Sequence, residues 1–153
     1  KQKKGVGVIV YDAKKELVGR IEQFRVGALG QSSNPWQFEI VAGMVEKNEI
    51  LENVAIREVQ EETGLTLSDI QPILSYLPSA GASNERMHLF CGSARLLDKG
   101  GIYGLASENE DIKLHIFPFA DALVGLTDGL FDSAASIIAL QWLEKNRHQM
   151  KSA

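Results

Sequence analysis

The residues of this sequence best suited to chemistry are three glutamates, Glu58, Glu61 and Glu62. Their spacing of three and four positions places the three carboxylates on one side of a helix. Like charges at that distance destabilise a helix by roughly 0.2–0.5 kcal/mol per pair. A divalent cation would remove this repulsion, because clustered carboxylate oxygens suit Mg²⁺ or Mn²⁺, and Mg²⁺ takes its other ligands from water and substrate phosphates. Residue type alone leaves a solvated acidic face open as the alternative.

The neighbouring residues predict a loop followed by a helix. No proline or glycine lies between Leu51 and Thr63, and apolar residues recur there at helical spacing. Asn48 is a candidate N-terminal cap, and Gly64 is expected to end the helix. Glu49 in the loop and Arg57 on the helix can form an ion pair, which would hold the loop against the helix.

The whole segment follows the pattern G-x5-E-x7-R-E-U-x-E-E-x-G-U, where U is a bulky aliphatic residue, from Gly43 to Leu65. The sequence matches every specified position, so the chain resembles the Nudix hydrolases. The resemblance implies an α/β/α sandwich around a mixed β-sheet. It also implies a metal-dependent pyrophosphohydrolase acting on a nucleoside diphosphate linked to another moiety. The roles it implies are metal ligation by the Ala42 carbonyl, Glu58, Glu61 and Glu62, catalysis by Glu58, Glu62 and Arg57, and structural roles for Gly43, Glu49 and Gly64.

Length and composition are consistent with one globular domain over residues 1–153, which the resemblance identifies as a single Nudix hydrolase domain. The chain has 153 residues, of which 44% are hydrophobic, which is enough for a substantial core. Its net charge of −4 argues against a general nucleic-acid surface or an anionic-membrane surface, so an anionic substrate would need metal or local arginines. Cys91 is the single cysteine and is expected in the core. With no disulfide, signal peptide or long apolar run, we expect a cytoplasmic protein.

Segments rich in β-branched residues and the spacing of apolar residues predict the elements that position the acidic segment. The predicted strands cover residues 5–11, 16–25, 36–42, 70–77, 87–97 and 112–117. The predicted later helices cover residues 119–126 and about 133–147. Asp132 or Ser133 is expected to cap the last helix. Its core face is predicted to contain Ala134, Ile137, Ile138, Gln141 and Trp142.

Four positions outside the acidic segment have more than one interpretation. Trp36 is expected in the core or at a subunit contact, with base stacking as the alternative. His88 is expected to be a core or edge residue rather than a metal ligand. The long loop 100–110 ends in ENED, so Glu108 and Glu110 are either metal-site or base groups or part of a solvated turn.

Segments outside the acidic pattern resemble the ADP-ribose pyrophosphatase branch of the Nudix hydrolases: IEQFR, PWQFEIVAGM, LPSAGASNE, ENED and DSAASIIALQWL. The roles implied are phosphate contact by Arg25, substrate contact by Met44, Ser79, Ala80 and Gly81, substrate contact across a homodimer interface by Glu85, general base catalysis by Glu108, and metal ligation by Glu110. Members of this branch carry a small N-terminal domain that supplies adenine contacts. The chain begins where the hydrolase domain would start, so we expect that this domain is missing from the chain.

The resemblance implies hydrolysis of ADP-ribose to AMP and ribose 5-phosphate, with Mg²⁺, or Mn²⁺ in its place, and more than one ion. The first alternative is a Nudix hydrolase of another nucleotide, such as NADH, a nucleotide sugar or a dinucleoside polyphosphate. The second is a module that binds ADP-ribose without cleaving it. A structural domain with an incidental acidic helix is the third.

Overall fold

The computed structural model describes residues 2–96, 101–103 and 111–150. Within these residues, eight strands form one mixed sheet. The strands are Lys4–Asp12 (β1), Leu17–Phe24 (β2), Trp36–Glu39 (β3), Val41–Met44 (β4), Asp69–Tyr76 (β5), Arg86–Ser93 (β6), Gly101–Tyr103 (β7) and Ile112–Pro118 (β8). The α-helices are Leu51–Thr63 (α1), Phe119–Thr127 (α2) and Ala134–Asn146 (α3). None of the described helices is long and apolar enough to cross a membrane.

The sheet runs in the order β5-β6-β1-β2-β8-β7 and splits near its centre. Strands β1 and β6 are parallel, whereas β1 and β2 form a hairpin that pairs only from Val10↔Gly19 to Asp12↔Leu17. Beyond this point β3 pairs with β2, and β4 pairs with β1. Strands β3 and β4 therefore occupy the gap between β1 and β2.

Alternation along β1 produces two hydrophobic layers. Val6, Val8 and Val10 pack in the layer that contains Val54, Ala55 and Val59 of α1. Ile9 and Tyr11 pack on the opposite face, with Ala122 of α2 and Leu140 of α3. Because side chains alternate between the faces of a strand, one run of apolar residues supports both layers. This arrangement confirms the predicted α/β/α sandwich.

The predicted boundaries of α1 are confirmed, but its predicted cap is wrong. The helix runs from Leu51 to Thr63, and Gly64 ends it with a φ of 69°, a left-handed conformation that glycine adopts without steric cost. Ile50 occupies the cap position. Asn48 lies in the preceding turn and has a φ of 71°. Asparagine tolerates this left-handed conformation better than most residues.

Two other predictions need correction. The strand predicted over 36–42 is two strands separated by Ile40, since its two halves pair with different neighbours. The region predicted as a loop over 100–110 contains β7, which pairs with β8. The remaining residues of that loop, with Glu108 and Glu110, lie outside the described residues.

The core face predicted for α3 is only partly correct, since Ile138 and Trp142 pack against the core but Ala134 and Gln141 do not. Ser133 caps the helix as predicted, since its hydroxyl accepts the Ser136 N–H. The buried residues are Ser136, Ala139, Leu140 and Leu143, whereas Ala134 and Gln141 are exposed. The buried face is therefore rotated around the helix relative to the predicted one, and it combines two small residues with two leucines.

The structure shows the environments of Cys91, Trp36 and His88. Cys91 is buried in the α2/α3 layer, and burial raises the pKa of its thiol to about 12. Trp36 is 41% exposed and meets Phe24 edge to face, with 5.6 Å between ring centroids. His88 lies half-buried in β6, and burial lowers the pKa of its imidazole.

Arg20 is a cation in the interior of the protein. Its side chain is fully buried on β2, with the guanidinium carbon 4.5 Å from the centre of the Phe131 ring. Within the described part of the chain, none of its three guanidinium nitrogens has a hydrogen-bond partner. Burial lowers the pKa of Arg20 to about 9. A buried charge that is neither paired nor hydrogen-bonded is unfavourable, and the cation–π contact offsets only part of the cost.

We therefore expect Arg20→Leu to stabilise the protein. Replacing buried charge with an apolar side chain of similar size is typically neutral or stabilising by about 1–4 kcal/mol. The free energy of unfolding, measured by urea denaturation at pH 7, should rise by that order. Arg95→Leu is the control, because Arg95 is exposed and its replacement should change stability by less than about 0.5 kcal/mol.

The stabilisation should shrink at alkaline pH. The native pKa lies below that of the unfolded chain, so the wild type gains stability as pH rises above about 9. Between pH 9 and pH 10 the advantage of Arg20→Leu should fall by roughly 1 kcal/mol. A variant less stable than the wild type at pH 7 would show that the Arg20 charge is well solvated or paired.

Candidate active site

Strand β4 approaches α1 closely enough that a glutamate side chain lies against its backbone. Glu58 is 9% exposed, and a Cβ built at Gly43 would overlap its carboxylate. Only glycine allows this approach, because any other residue would place a side-chain carbon in the same space. The glycine of the sequence pattern therefore has a steric function, which is to admit the Glu58 carboxylate.

A second carboxylate of α1 lies against the same strand. Glu62 is 3% exposed, and its Oε2 accepts a hydrogen bond from the Ala42 N–H at 3.4 Å. Glu58 and Glu62 are one helical turn apart, so both carboxylates face two successive residues of β4, Ala42 and Gly43. The structure thus brings together two buried carboxylates and the backbone of β4.

Arg57 provides positive charge at the edge of the acidic cluster, which is formed by Glu58, Glu61 and Glu62. Its Nη2 lies 3.4 Å from Oε1 of Glu49, and its Nη1 lies 3.5 Å from Oε1 of Glu58 and 3.9 Å from Oε2 of Glu61. The other carboxylate oxygen of Glu49 accepts the Glu46 N–H at 2.7 Å, which closes the loop before α1. Because Arg57 is 42% exposed, we attribute to these contacts a positional role with little contribution to stability.

The donor chemistry of this cluster fits a hard divalent cation. Among the described residues, no three Asp, Glu, His or Cys side chains converge as a complete metal site. Mg²⁺ commonly takes only one or two carboxylates, together with water and phosphate oxygens. Two buried carboxylates beside a strand backbone, Glu58 and Glu62 beside Ala42, meet that requirement. Glu61 is at the rim of the cluster, and its side chain is 26% exposed.

Two residues predicted to contact substrate line one cavity next to the acidic cluster. Met44 and Glu85 border a cavity of about 870 Å³, together with residues of the loop that contains Glu49. Lys3, Lys4 and Lys47 also line the cavity. The sequence showed the basic lead-in to β1 but gave no reason to place it beside the acidic loop. This placement depends on the pairing of β1 with β4.

The other predicted substrate residues lie elsewhere. Arg25 follows β2 and makes a 2.7 Å ion pair with Glu39, bordering a separate cavity of about 410 Å³. Ser79 and its neighbours Ala80 and Gly81 form a turn after β5, in which Ser79 accepts the Ala82 N–H at 3.0 Å. The described lining of the larger cavity includes neither Arg25 nor this turn. Glu108 and Glu110 lie outside the described residues.

Two contacts near the site were missed by sequence reasoning. Glu39 was missed as the partner of Arg25, although its position on the strand before the acidic segment offered a signal. Ser136 was missed because its hydroxyl acts on the distant Ile40, with 3.1 Å between Oγ and N. No local pattern in α3 indicates that contact, since it depends on how the helix docks.

Comparisons with known proteins identify a family and several relatives to which this chain is similar. A family model described as the NUDIX domain matches residues 1–140. The chain is 41% identical over 145 residues to the ADP-ribose pyrophosphatase of Escherichia coli K12, a match covering 95% of this chain and 69% of the relative. The ADP-ribose pyrophosphatase of Haemophilus influenzae is 41% identical over 149 residues, with the same coverage. The GDP-mannose pyrophosphatase of Cronobacter sakazakii is 31% identical over 147 residues, covering 92% of this chain and 73% of the relative.

The close approach of β4 to α1 predicts that Gly43→Ala damages the protein. The added methyl group would overlap the Glu58 carboxylate, and overpacking of this kind typically costs about 1–3 kcal/mol. Urea denaturation should show that loss. Gly27→Ala is the matched control, because the space around Gly27 is open. Equal effects of the two substitutions would show that Glu58 does not pack against Gly43.

Proposed function

The chain belongs to the Nudix family of hydrolases, and on that premise we propose that it hydrolyses the pyrophosphate bond of ADP-ribose, giving AMP and ribose 5-phosphate. The observation that carries the proposal is the pair of buried carboxylates, Glu58 and Glu62, held against the backbone of β4. The similarity to two ADP-ribose pyrophosphatases, 41% identical over 95% of this chain, supports the choice of substrate.

The reaction requires control of negative charge around two phosphates. A water oxygen bonds to one phosphorus, the bond from that phosphorus to the bridging oxygen breaks, and the bridging oxygen leaves with the other phosphate. A divalent ion supplies charge neutralisation of the phosphate oxygens and a lowered pKa of water. We propose Mg²⁺, with Mn²⁺ as a substitute and with more than one ion bound. Glu58 and Glu62 would hold it with the Ala42 carbonyl, and Glu61 and Glu110 would complete the ligand set.

The protein's own residues would neutralise charge and accept the proton. Arg57 contacts the rim of the acidic cluster and limits repulsion among its carboxylates. Glu108 is proposed as the base that takes the proton from water, by its correspondence with the family pattern. A carboxylate within hydrogen-bond reach of the reacting water is the chemistry this step needs.

Substrate binding would use the cavity of about 870 Å³ beside the loop that contains Glu49. Met44 and Glu85 line it in one chain, and we propose that in a homodimer Glu85 contacts the substrate of the partner subunit. Ser79, Ala80 and Gly81 would contact substrate through the backbone of their turn. Arg25 would exchange Glu39 for a substrate phosphate, which is feasible because its side chain is 45% exposed and ion pairs of exposed side chains are worth only about 0–1 kcal/mol. A cytoplasmic location stays a prediction.

A nucleotide-sugar hydrolase is the second candidate function. The similarity to a GDP-mannose pyrophosphatase, 31% identical over 92% of this chain, favours it. Both substrates present a pyrophosphate to the same acidic cluster and differ in the base and sugar. A binding module without catalysis is disfavoured, because the sequence keeps every carboxylate of the family pattern.

A substrate panel tests the proposal. Purified protein with Mg²⁺ should release AMP from ADP-ribose with a kcat/KM at least about tenfold above that for GDP-mannose or NADH, a difference of about 1.4 kcal/mol in transition-state binding. Nucleotide release would be followed by chromatography. Preference for GDP-mannose would establish the second candidate, and no cleavage of any pyrophosphate would overturn both.

The ligand assignment predicts that Glu62→Gln removes metal-dependent turnover. The change keeps the shape of the side chain but removes a charge, and kcat/KM should fall by about a hundredfold or more, since metal stabilisation is worth several kcal/mol. Glu52→Gln on the same helix is the control, because Glu52 is exposed in the first turn. Activity of Glu62→Gln within tenfold of the wild type would exclude Glu62 as a ligand.

A further inference from the structure

The chain between β3 and β4 changes partner strand at a single residue. Glu39 is the last residue paired with β2, at Ile21↔Glu39, and Val41 is the first paired with β1, at Val8↔Val41. Ile40 lies between them and is 1% exposed. In the described sheet its backbone belongs to neither ladder, so its N–H needs a partner from another element.

That partner is the hydroxyl group of Ser136 on α3. Ser136 is fully buried, and its Oγ accepts the Ile40 N–H at 3.1 Å across the sheet-to-helix interface. The Ser133 hydroxyl donates to the same oxygen at 3.0 Å and accepts the Ser136 N–H at 3.4 Å. The helix cap therefore orients the oxygen that satisfies the strand break.

The strand break is two residues before the acidic cluster. Ala42 donates its N–H to Glu62, and Gly43 lies directly against the Glu58 carboxylate. A strand that slips by one residue turns every side chain to the opposite face. Slippage at Ile40 would therefore replace the glycine beside Glu58 with a residue that has a side chain.

We infer that Ser136 is a positioning residue for the metal site on the opposite face of the sheet. By holding Ile40, its hydroxyl fixes the register and height of Ala42 and Gly43 against Glu58 and Glu62. This inference rests on the proposed function, because it assumes that those carboxylates bind a divalent ion. It assigns to the start of α3 a positioning role that adds to the pairing of Ala42 and Gly43 with β1.

The effect on metal binding should exceed what lost stability alone would cause. Ser136→Ala leaves the buried Ile40 N–H without its acceptor, so the protein loses some stability. Residues that orient metal ligands typically contribute about 10–100-fold in metal affinity. We expect the Mn²⁺ dissociation constant of Ser136→Ala, measured by electron paramagnetic resonance without substrate, to rise about tenfold. Ser136→Thr keeps the hydroxyl and should restore most of the affinity.

Ala139→Gly is the matched control variant. Ala139 is buried on α3 three residues beyond Ser136, and glycine in a helix interior costs about 1 kcal/mol. This variant weakens the same helix but keeps the Ile40 acceptor. Its Mn²⁺ dissociation constant should stay within twofold of the wild-type value. A rise equal to that of Ser136→Ala would show that general loosening of α3 is the cause, and would overturn the inference.

Amide hydrogen exchange tests the same coupling in the wild type. Coupling between two sites is reciprocal, so a metal that depends on the Ile40 contact must also protect the Ile40 amide. With saturating Mg²⁺, exchange at Ile40 should slow at least fivefold more than at Leu96. The Leu96 N–H is the control, because it also bonds a buried side chain, the Asp12 carboxylate at 2.9 Å.

The outcomes separate this inference from the proposed function. If the wild type binds Mn²⁺ and hydrolyses ADP-ribose, but Ser136→Ala binds Mn²⁺ equally well, only the role of Ser136 is overturned. Equal slowing of exchange at Ile40 and Leu96 would lead to the same conclusion. If the wild type binds no Mn²⁺, the proposed function fails, and the inference fails with it.

Discussion

The structure depends on burying two carboxylates from one helix against the backbone of one strand. Burial of a carboxylate is costly unless donors or positive charge meet it. Glu62 receives the amide of Ala42, and Glu58 lies in the space that Gly43 leaves open while Arg57 approaches from the rim. This arrangement requires α1 to rest on β4 at a fixed height, and the loop closed by Glu49 sets where the helix begins.

The split sheet is the means by which β4 reaches that position. Strands β1 and β2 separate beyond Val10↔Gly19, and β3 and β4 fill the opening from opposite sides. The β1–β4 pair thus holds the acidic cluster next to β1, while the β2–β3 pair connects through β2 to β8. The two hydrophobic layers hold the arrangement on both faces, with α1 on one and α2 and α3 on the other. The position of the carboxylates on the α1 face of the sheet therefore depends on the packing of both hydrophobic layers.

Local sequence patterns predicted the features of this protein that local interactions determine. Helix α1 has the predicted limits because Gly64 ends it by its own conformation. The acidic pattern identified Glu58 and Glu62 because their spacing reflects one helical turn. The break at Ile40 was not predictable from WQFEIVA, which has no glycine or proline, since it arises from competition between two neighbouring strands. Part of the buried face of α3 was misplaced for a related reason, because the docking of the helix buries Ser136 and Ala139 beside Leu140 and Leu143.

The reactivity of the buried Cys91 thiol can report the opening of the hydrophobic layer in which it lies. It lies in the layer between the sheet and α2/α3, with a pKa raised to about 12, so very little reactive thiolate forms at neutral pH while that layer is closed. A thiol reagent should label the chain only during excursions that separate these elements. Since Cys91 is the single cysteine of the sequence, the labelling rate would measure how often these elements separate, without any engineered probe.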